Sequence, residues 1–121
     1  MSETLRGKAS LPFRLSLPDT TGDEAMLEGH TRDMRATGLS LVVPDTRLGG
    51  EEIVSENRML RVVLELPTGP IEMLVAPVRC EPLHEAEAGQ QQQGGYLIGS
   101  RIAEISDSDC VRFVKYLRSL R

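Results

Sequence analysis

Aromatic residues are scarce in this chain, which has two tyrosines, two phenylalanines and no tryptophan, together 3% of its sequence. Its core must therefore be built from leucine, valine, isoleucine and methionine. Binding of single-stranded nucleic acid is disfavoured, because it relies on bases stacking on aromatic side chains. A length of 121 residues with 40% hydrophobic content is nevertheless ordinary for one folded unit. We therefore expect a single domain over 1–121, with a core from about 6 to 120.

Long apolar segments and paired cysteines are also missing. No run approaches the roughly 18 apolar residues of a transmembrane helix, and the N-terminus lacks the apolar segment of a secretion signal. Cys80 and Cys110 have no short paired spacing, and His30 and His84 complete no metal-ligand spacing with them. Isolated thiols of this kind indicate a reducing compartment. The sequence thus predicts a cytoplasmic protein with no membrane insertion, disulfide or metal site.

Positive charge is not in excess, since 14 basic against 18 acidic residues give a formal net charge of −4. Nucleic acid polymers bind to clustered positive charge, usually on a basic domain, so we expect no such partner. A small anionic ligand remains compatible with this balance. It needs only a local arginine pocket.

The chain also lacks the paired groups that catalysis requires. Cys110 is the one candidate nucleophile, because the start of a helix can lower the pKa of a thiol. Cys110 also begins an apolar stripe, and its neighbours Asp107 and Asp109 oppose thiolate formation, so core packing is the favoured interpretation. No phosphate-binding glycine-rich motif of the P-loop type is present. The sequence predicts a binding protein with no catalytic residue and no cofactor.

Alternating apolar and polar residues, the period of a β-strand, are abundant. They predict six strands, near 11–17, 26–32, 38–43, 60–66, 71–80 and 96–102. A short turn at 67–70 joins the fourth and fifth strands into a hairpin. Pro77 removes a ladder donor and indicates an edge or a bulge, and Gly99 lies in the middle of the sixth strand.

A helix follows the last predicted strand. Ser106 is a suitable N-cap, and Asp109 is placed to close a variant capping box with it. Apolar residues then recur at helical spacing on one stripe, which must dock on the sheet: Cys110, Phe113, Val114, Leu117 and Leu120. Six short strands and one amphipathic helix favour a small, closed or nearly closed barrel.

The segment from His30 to Leu41 combines an acid, arginines and a glycine in a predicted turn between two strands. Taken alone, Asp33 to Gly38 is an ordinary hairpin connection. Its context is more specific: a strand of sequence LPFRL precedes it, and a long strand, a GYLIGSRI segment and the Ser106-capped helix follow. This order resembles the PilZ domain family over essentially the whole chain from Arg6 onward.

The resemblance implies a mainly β fold, a six-stranded antiparallel β-barrel with a C-terminal α-helix. Many members of that family are cytoplasmic bacterial receptors for the second messenger cyclic di-GMP. The expectation that follows is a regulatory protein that binds cyclic di-GMP and transmits the signal to a protein partner.

Two ligand motifs of the family are partly present. In the motif of Asp or Asn, any residue, Ser, any two residues and Gly, Asp33 and Gly38 match while Arg35 replaces the serine. In the motif of two arginines four positions apart, Arg6 matches the second, and Ser2 stands where the first belongs. The resemblance thus implies a ligand site formed by Arg6, Asp33 and Gly38, with Arg35 as an atypical anion contact.

Each of these residues has a chemical role in that site. An arginine fork such as that of Arg6 clamps a phosphate or reads guanine, and the Asp33 carboxylate accepts from the N–H edge of guanine. Glycine at position 38 permits close backbone approach. Three outcomes stay open for Arg35: a new phosphate contact, obstruction of the base pocket, or pairing with Asp33.

The missing motif residues also leave a second function open. A degenerate domain that no longer binds the nucleotide would act as a protein adaptor, docking through helix residues such as Phe113 and Leu117 if the barrel covers the apolar stripe only in part. Both hypotheses require Arg6 and the segment from Asp33 to Gly38 to lie at the same end of the barrel.

Overall fold

A computed structural model describes residues 6–7, 10–18, 26–48, 50–54, 58–83 and 95–120. Within those ranges it contains nine strands and one helix. The strands are β1 (Arg6–Gly7), β2 (Pro12–Ser16), β3 (Leu27–Arg35), β4 (Gly38–Val43), β5 (Arg47–Leu48), β6 (Glu51–Glu52), β7 (Leu60–Leu66), β8 (Gly69–Pro82) and β9 (Tyr96–Ile105). The helix, α1, comprises Asp107–Ser119.

The strands form a closed barrel. Seven of them lie in one antiparallel sheet in the order β1-β3-β2-β7-β8-β9-β4, and an additional pairing of β3 with β4 closes it. Strands β1 and β2 both pair with β3, at its end and its beginning respectively, so together they form one wall of the barrel. The predicted six-stranded antiparallel barrel with a C-terminal helix is confirmed.

Alternation along the strands produces the core. In β7, Leu60, Val62, Leu64 and Leu66 point inward and are buried, whereas the residues between them are partly exposed. Nearly all of the core is aliphatic, and both phenylalanines, Phe13 and Phe113, belong to it. Full burial of such side chains stabilises the fold by about 1.5–3 kcal/mol each.

Several boundaries differ from those predicted. Strand β3 continues three residues beyond the predicted end, because past a bulge between Thr31 and Met34 it pairs with β1 on one side and β4 on the other. Strand β9 extends to Ile105. The bulge expected at Pro77 is present as a register shift between Pro77 and Arg79. The hairpin of β5 and β6 was not predicted, since strands of two residues are too short to show a period.

Helix α1 covers one end of the barrel. Its N-cap is Ser106, as predicted, and Ser106 Oγ accepts a hydrogen bond from the Asp109 amide at 3.2 Å. The reciprocal half of the predicted capping box is wrong: Asp109 Oδ2 instead accepts from the Glu72 amide of β8 at 3.1 Å. Phe113 and Leu117 enter the core. In the part of the chain that the structure describes, no helix is long and apolar enough to cross a membrane.

Candidate functional site

The candidate residues meet at the hairpin of β3 and β4. Asp33 and Arg35 belong to the end of β3 and Gly38 begins β4, so the turn proper is only residues 36–37 and the predicted placement of all three in a turn is wrong. Arg6 is paired with Arg35 in the β1–β3 ladder. The backbone of Arg6 and the segment from Asp33 to Gly38 therefore lie at the same end of the barrel, as both hypotheses require.

A surface cavity of about 510 Å³ lies beside this hairpin, on the outer wall formed by β3, β4, β8 and β9. Its volume is within the range of about 300–1,000 Å³ that is usual for sites of small molecules. Asp33, Arg35 and Gly38 line it on one side. Arg79 and the exposed Val78 of β8, and Gly99 and Arg101 of β9, line it on the other.

The floor of the cavity is made of small residues on adjacent strands. Ser40 of β4 is paired with Gly99 of β9, and Gly99 is paired with Arg79 of β8. A Cβ at Gly99 would lie 3.5 Å from Arg79 Cγ, so the stem of the arginine crosses directly above the glycine. The absence of a side chain at Gly99 leaves room for Arg79 to lie along the barrel surface.

Gly38 is small for a different reason. A Cβ at this position would lie 2.4 Å from the carbonyl oxygen of Ser100, because β4 and β9 approach each other closely here. The Ser100 hydroxyl also donates a hydrogen bond of 2.9 Å to the Leu39 carbonyl. The barrel wall itself thus requires a glycine at position 38.

Positive charge predominates in the cavity. Arg35, Arg79 and Arg101 face one carboxylate, Asp33. Among the described residues, neither Arg35 nor Arg101 has an ion-pair partner. Arg79 has one weak pair, with its Nε 3.8 Å from Glu81 Oε2 and its side chain 73% exposed.

The opposite wall of the barrel gives a contrast. There the arginines pair across the strands, with Arg14 Nη2 3.4 Å from Glu65 Oε2 and Arg61 Nε 2.9 Å from Glu72 Oε2. Arg14 and Arg61 therefore each have a carboxylate partner within the protein. Arg35 and Arg101 have none among the described residues, which makes the cavity the better site for an anion.

The structure narrows the three outcomes that were open for Arg35. Within the described chain it forms no ion pair with Asp33. The side chain of Arg35 is exposed, and a cavity of about 510 Å³ is present beside it, so Arg35 does not fill the pocket. An additional contact to an anion is the outcome that this geometry favours.

Sequence reasoning missed the contribution of β8 and β9. Val78, Arg79 and Arg101 line the cavity although they lie at least 35 residues along the chain from the hairpin. The sequence offered only a weak signal for Arg101: it lies two residues after Gly99, a spacing that places both on one face of a strand. Arg79 has no such signal, because its pairing with Gly99 depends on the register shift after Pro77.

The cysteines and histidines do not join this site. Burial, followed in effect by Glu52 and Glu81, raises the pKa of the half-buried Cys80 thiol above its usual value of 9.0, so this thiol is protonated at neutral pH. Cys110 is only partly buried near the start of α1, and His30 is exposed on β3. His84 and Ser2 lie outside the described residues. The described ranges contain no cluster of side chains that could hold a metal ion.

The two helix residues named for an adaptor, Phe113 and Leu117, are not available on the surface. Phe113 and Leu117 are 1% and 0% exposed, because both are packed inside the barrel. A partner could reach them only if the core opened. The expectation that these two residues form a free interaction surface is wrong.

Comparison with known proteins gave matches in structure only. Neither a protein-family model nor a curated protein sequence matched the chain. The PilZ domain of YcgR from Escherichia coli, solved with c-di-GMP, matches with a TM-score of 0.69 at 10% identity, over 98% of this chain and 90% of that one.

Two further structures resemble the chain along nearly its whole length. The inhibitor of motility MotI/DgrA of Bacillus subtilis has a TM-score of 0.69 at 17% identity, and 98% of this chain matches 50% of it. MrkH, described as a c-di-GMP-dependent transcription regulatory factor, has a TM-score of 0.71 at 14% identity, and 99% of this chain matches 51% of it. The chain thus spans about half the length of these two proteins. Its closed barrel, its C-terminal helix and these neighbours show that it has the PilZ-like fold.

Proposed function

We propose that this chain is a PilZ-type regulatory module that binds cyclic di-GMP in the cavity beside the β3–β4 hairpin. One observation carries the proposal: the register of β1 brings Arg6 to Arg35, next to a cavity lined by Asp33 and by two arginines, Arg35 and Arg101, that lack ion-pair partners among the described residues. The PilZ-like fold supports it, since YcgR and MrkH, which share that fold, are both described with c-di-GMP.

The ligand's chemistry matches these residues. Cyclic di-GMP carries two phosphates and two guanines. In the proposed complex Arg35 forms charge-assisted hydrogen bonds with a phosphate, and Asp33 accepts from the N1–H and N2–H₂ groups of one guanine. Arg6, whose backbone is paired with Arg35, clamps the ligand in this proposal. Gly38 has no side chain that would obstruct the approach of the ligand to the hairpin backbone.

The two departures from the family motifs weaken this site. A hydrogen bond to a charged group contributes about 1.5–3 kcal/mol and an ordinary one about 0.5–1.5 kcal/mol, so the loss of an arginine contact and a serine contact costs roughly 2–4.5 kcal/mol in total. That corresponds to about 30- to 2,000-fold in affinity. Arg35 offsets part of this loss when it contacts a phosphate. In this proposal the module acts in the cytoplasm and passes the signal to a protein partner.

Calorimetric titration of the unaltered chain with cyclic di-GMP, at a protein concentration of about 100 μM, tests the proposal. We expect saturable binding that Asp33→Ala and Arg35→Ala each weaken about tenfold or more. Arg14→Ala is the matched control, because it removes an exposed arginine from the opposite wall. No binding heat from the unaltered chain at this concentration would remove the proposal.

A further inference from the structure

The two arginines on the far side of the cavity belong to neither family motif. Arg101 lies on the outer face of β9, where it is paired with Gly38 of β4, the glycine of the motif. Because glycine has no side chain, nothing on β4 at that position separates Arg101 from Arg35, which pairs with Gly38 from the other side. Both arginines line the cavity.

Arg79 approaches the same region from β8. Its stem lies over Gly99, and Gly99 and Arg101 share one face of β9 because they are two residues apart. Arg79 is opposite Gly99 and Arg101 is opposite Ala76, so the two arginines occupy diagonal outward positions on adjacent strands, a separation that long side chains can bridge.

Neither arginine has a close carboxylate partner within the described structure. Arg101 has no ion-pair partner there, and Glu81 reaches Arg79 only at 3.8 Å, with both side chains largely exposed. Arg14 and Arg61, by contrast, each pair with a glutamate of a neighbouring strand. A bound anion would give the guanidinium groups of Arg79 and Arg101 a shared acceptor.

We propose that Arg79 and Arg101 form a second phosphate-binding pair, across β4 from Asp33, which replaces the contacts that the partial family motifs have lost. This inference rests on the proposed function and deepens it. In this inference, residues of β8 and β9 supply part of the affinity for the ligand. It also requires a ligand with two separated phosphates, one near Arg35 and one between Arg79 and Arg101, so a mononucleotide such as GMP satisfies only half of the site.

The test is calorimetric titration with cyclic di-GMP and with GMP. Arg79→Gln and Arg101→Gln keep much of the side-chain length while removing the charge, and both positions are exposed, so the variants retain the fold. We expect each variant to bind cyclic di-GMP about tenfold more weakly, with the unaltered chain preferring it to GMP by at least about tenfold. Arg47→Gln, an exposed arginine that pairs with Glu52, is the matched control and stays within about twofold.

Glu81→Gln is a variant of the same region that should not weaken binding. It removes the carboxylate that competes for Arg79, so binding becomes equal or tighter, and weaker binding contradicts the role given to Arg79. If the unaltered chain binds cyclic di-GMP while Arg79→Gln and Arg101→Gln both stay within twofold of it, the second pair is wrong and the proposed function stands. If the unaltered chain does not bind at all, both are overturned.

Discussion

Gly38 illustrates how one residue can satisfy both the fold and a ligand site. The sequence suggested that glycine is needed there to let a ligand approach the backbone. The structure supplies a reason within the barrel, because a Cβ at this position would lie 2.4 Å from the Ser100 carbonyl oxygen. That oxygen belongs to the backbone, so only a separation of β4 from β9 would relieve the clash. A glycine at this position is therefore weak evidence of ligand binding by itself.

Gly38→Ala is expected to destabilise the protein by about 1–3 kcal/mol, the usual cost of forcing an extra methyl group into a packed site. Urea unfolding measures this change as a lower transition midpoint. Gly99→Ala is the matched control on the paired strand, since its Cβ would be 3.5 Å from Arg79 Cγ, an ordinary contact. We expect it to change stability by less than about 0.5 kcal/mol. Equal losses in the two variants would contradict the steric explanation.

The contact between α1 and the β7–β8 hairpin holds the helix in position. Asp109 accepts from the Glu72 amide, and Arg112 Nη1 donates to the Pro70 carbonyl at 3.0 Å. Arg112 Nη2 also donates to Thr68 Oγ1 at 3.3 Å. These polar contacts surround the apolar contacts of Phe113 and Leu117. The orientation of the helix is thus fixed by side chains that the apolar stripe does not reveal.

Asp109→Ala is expected to lower the free energy of unfolding by about 1–3 kcal/mol, because it leaves the Glu72 amide without its charged acceptor. Asp107→Ala is the control: Asp107 lies in the same first turn and interacts with the same helix dipole, but it is exposed and lacks the strand contact. We expect a loss of at most about 1 kcal/mol there. Thermal unfolding of both variants decides the point. Losses of the same size would show that Asp109 acts only through the dipole.

The elements also show what sequence reasoning can and cannot reach. The alternation of apolar and polar residues predicted all six long strands of the barrel, and the Ser106 N-cap predicted the start of the helix. Both signals are local in the sequence. The end of β3 was predicted too early, since its last residues are held by pairing with β1 and β4 and not by their own pattern. Arg79 and Arg101 were missed because cross-strand neighbours depend on register, which shifts twice between β8 and β9.

For the binding of anions, the distribution of charge over the protein matters more than the net charge. The chain carries a formal net charge of −4, yet the described part of the cavity has three arginines against one aspartate. A compact anion can enter this local positive region without meeting the acidic remainder of the surface. A nucleic acid polymer extends beyond the cavity, where its other phosphates are repelled. We therefore expect this chain to bind a compact phosphate ligand in preference to a nucleic acid polymer.

Thermal unfolding with each kind of ligand tests this discrimination. A ligand that binds only the folded chain stabilises it by about 2.7 kcal/mol at 100 times its Kd, which for a domain of this size raises the Tm by roughly 10 °C. We expect such a rise with saturating cyclic di-GMP. We expect no measurable rise with duplex DNA at the same phosphate concentration, and the difference should persist when salt is lowered. Because lower salt strengthens attraction between exposed charges, a Tm rise with DNA under those conditions would mean that the positive region extends well beyond the cavity.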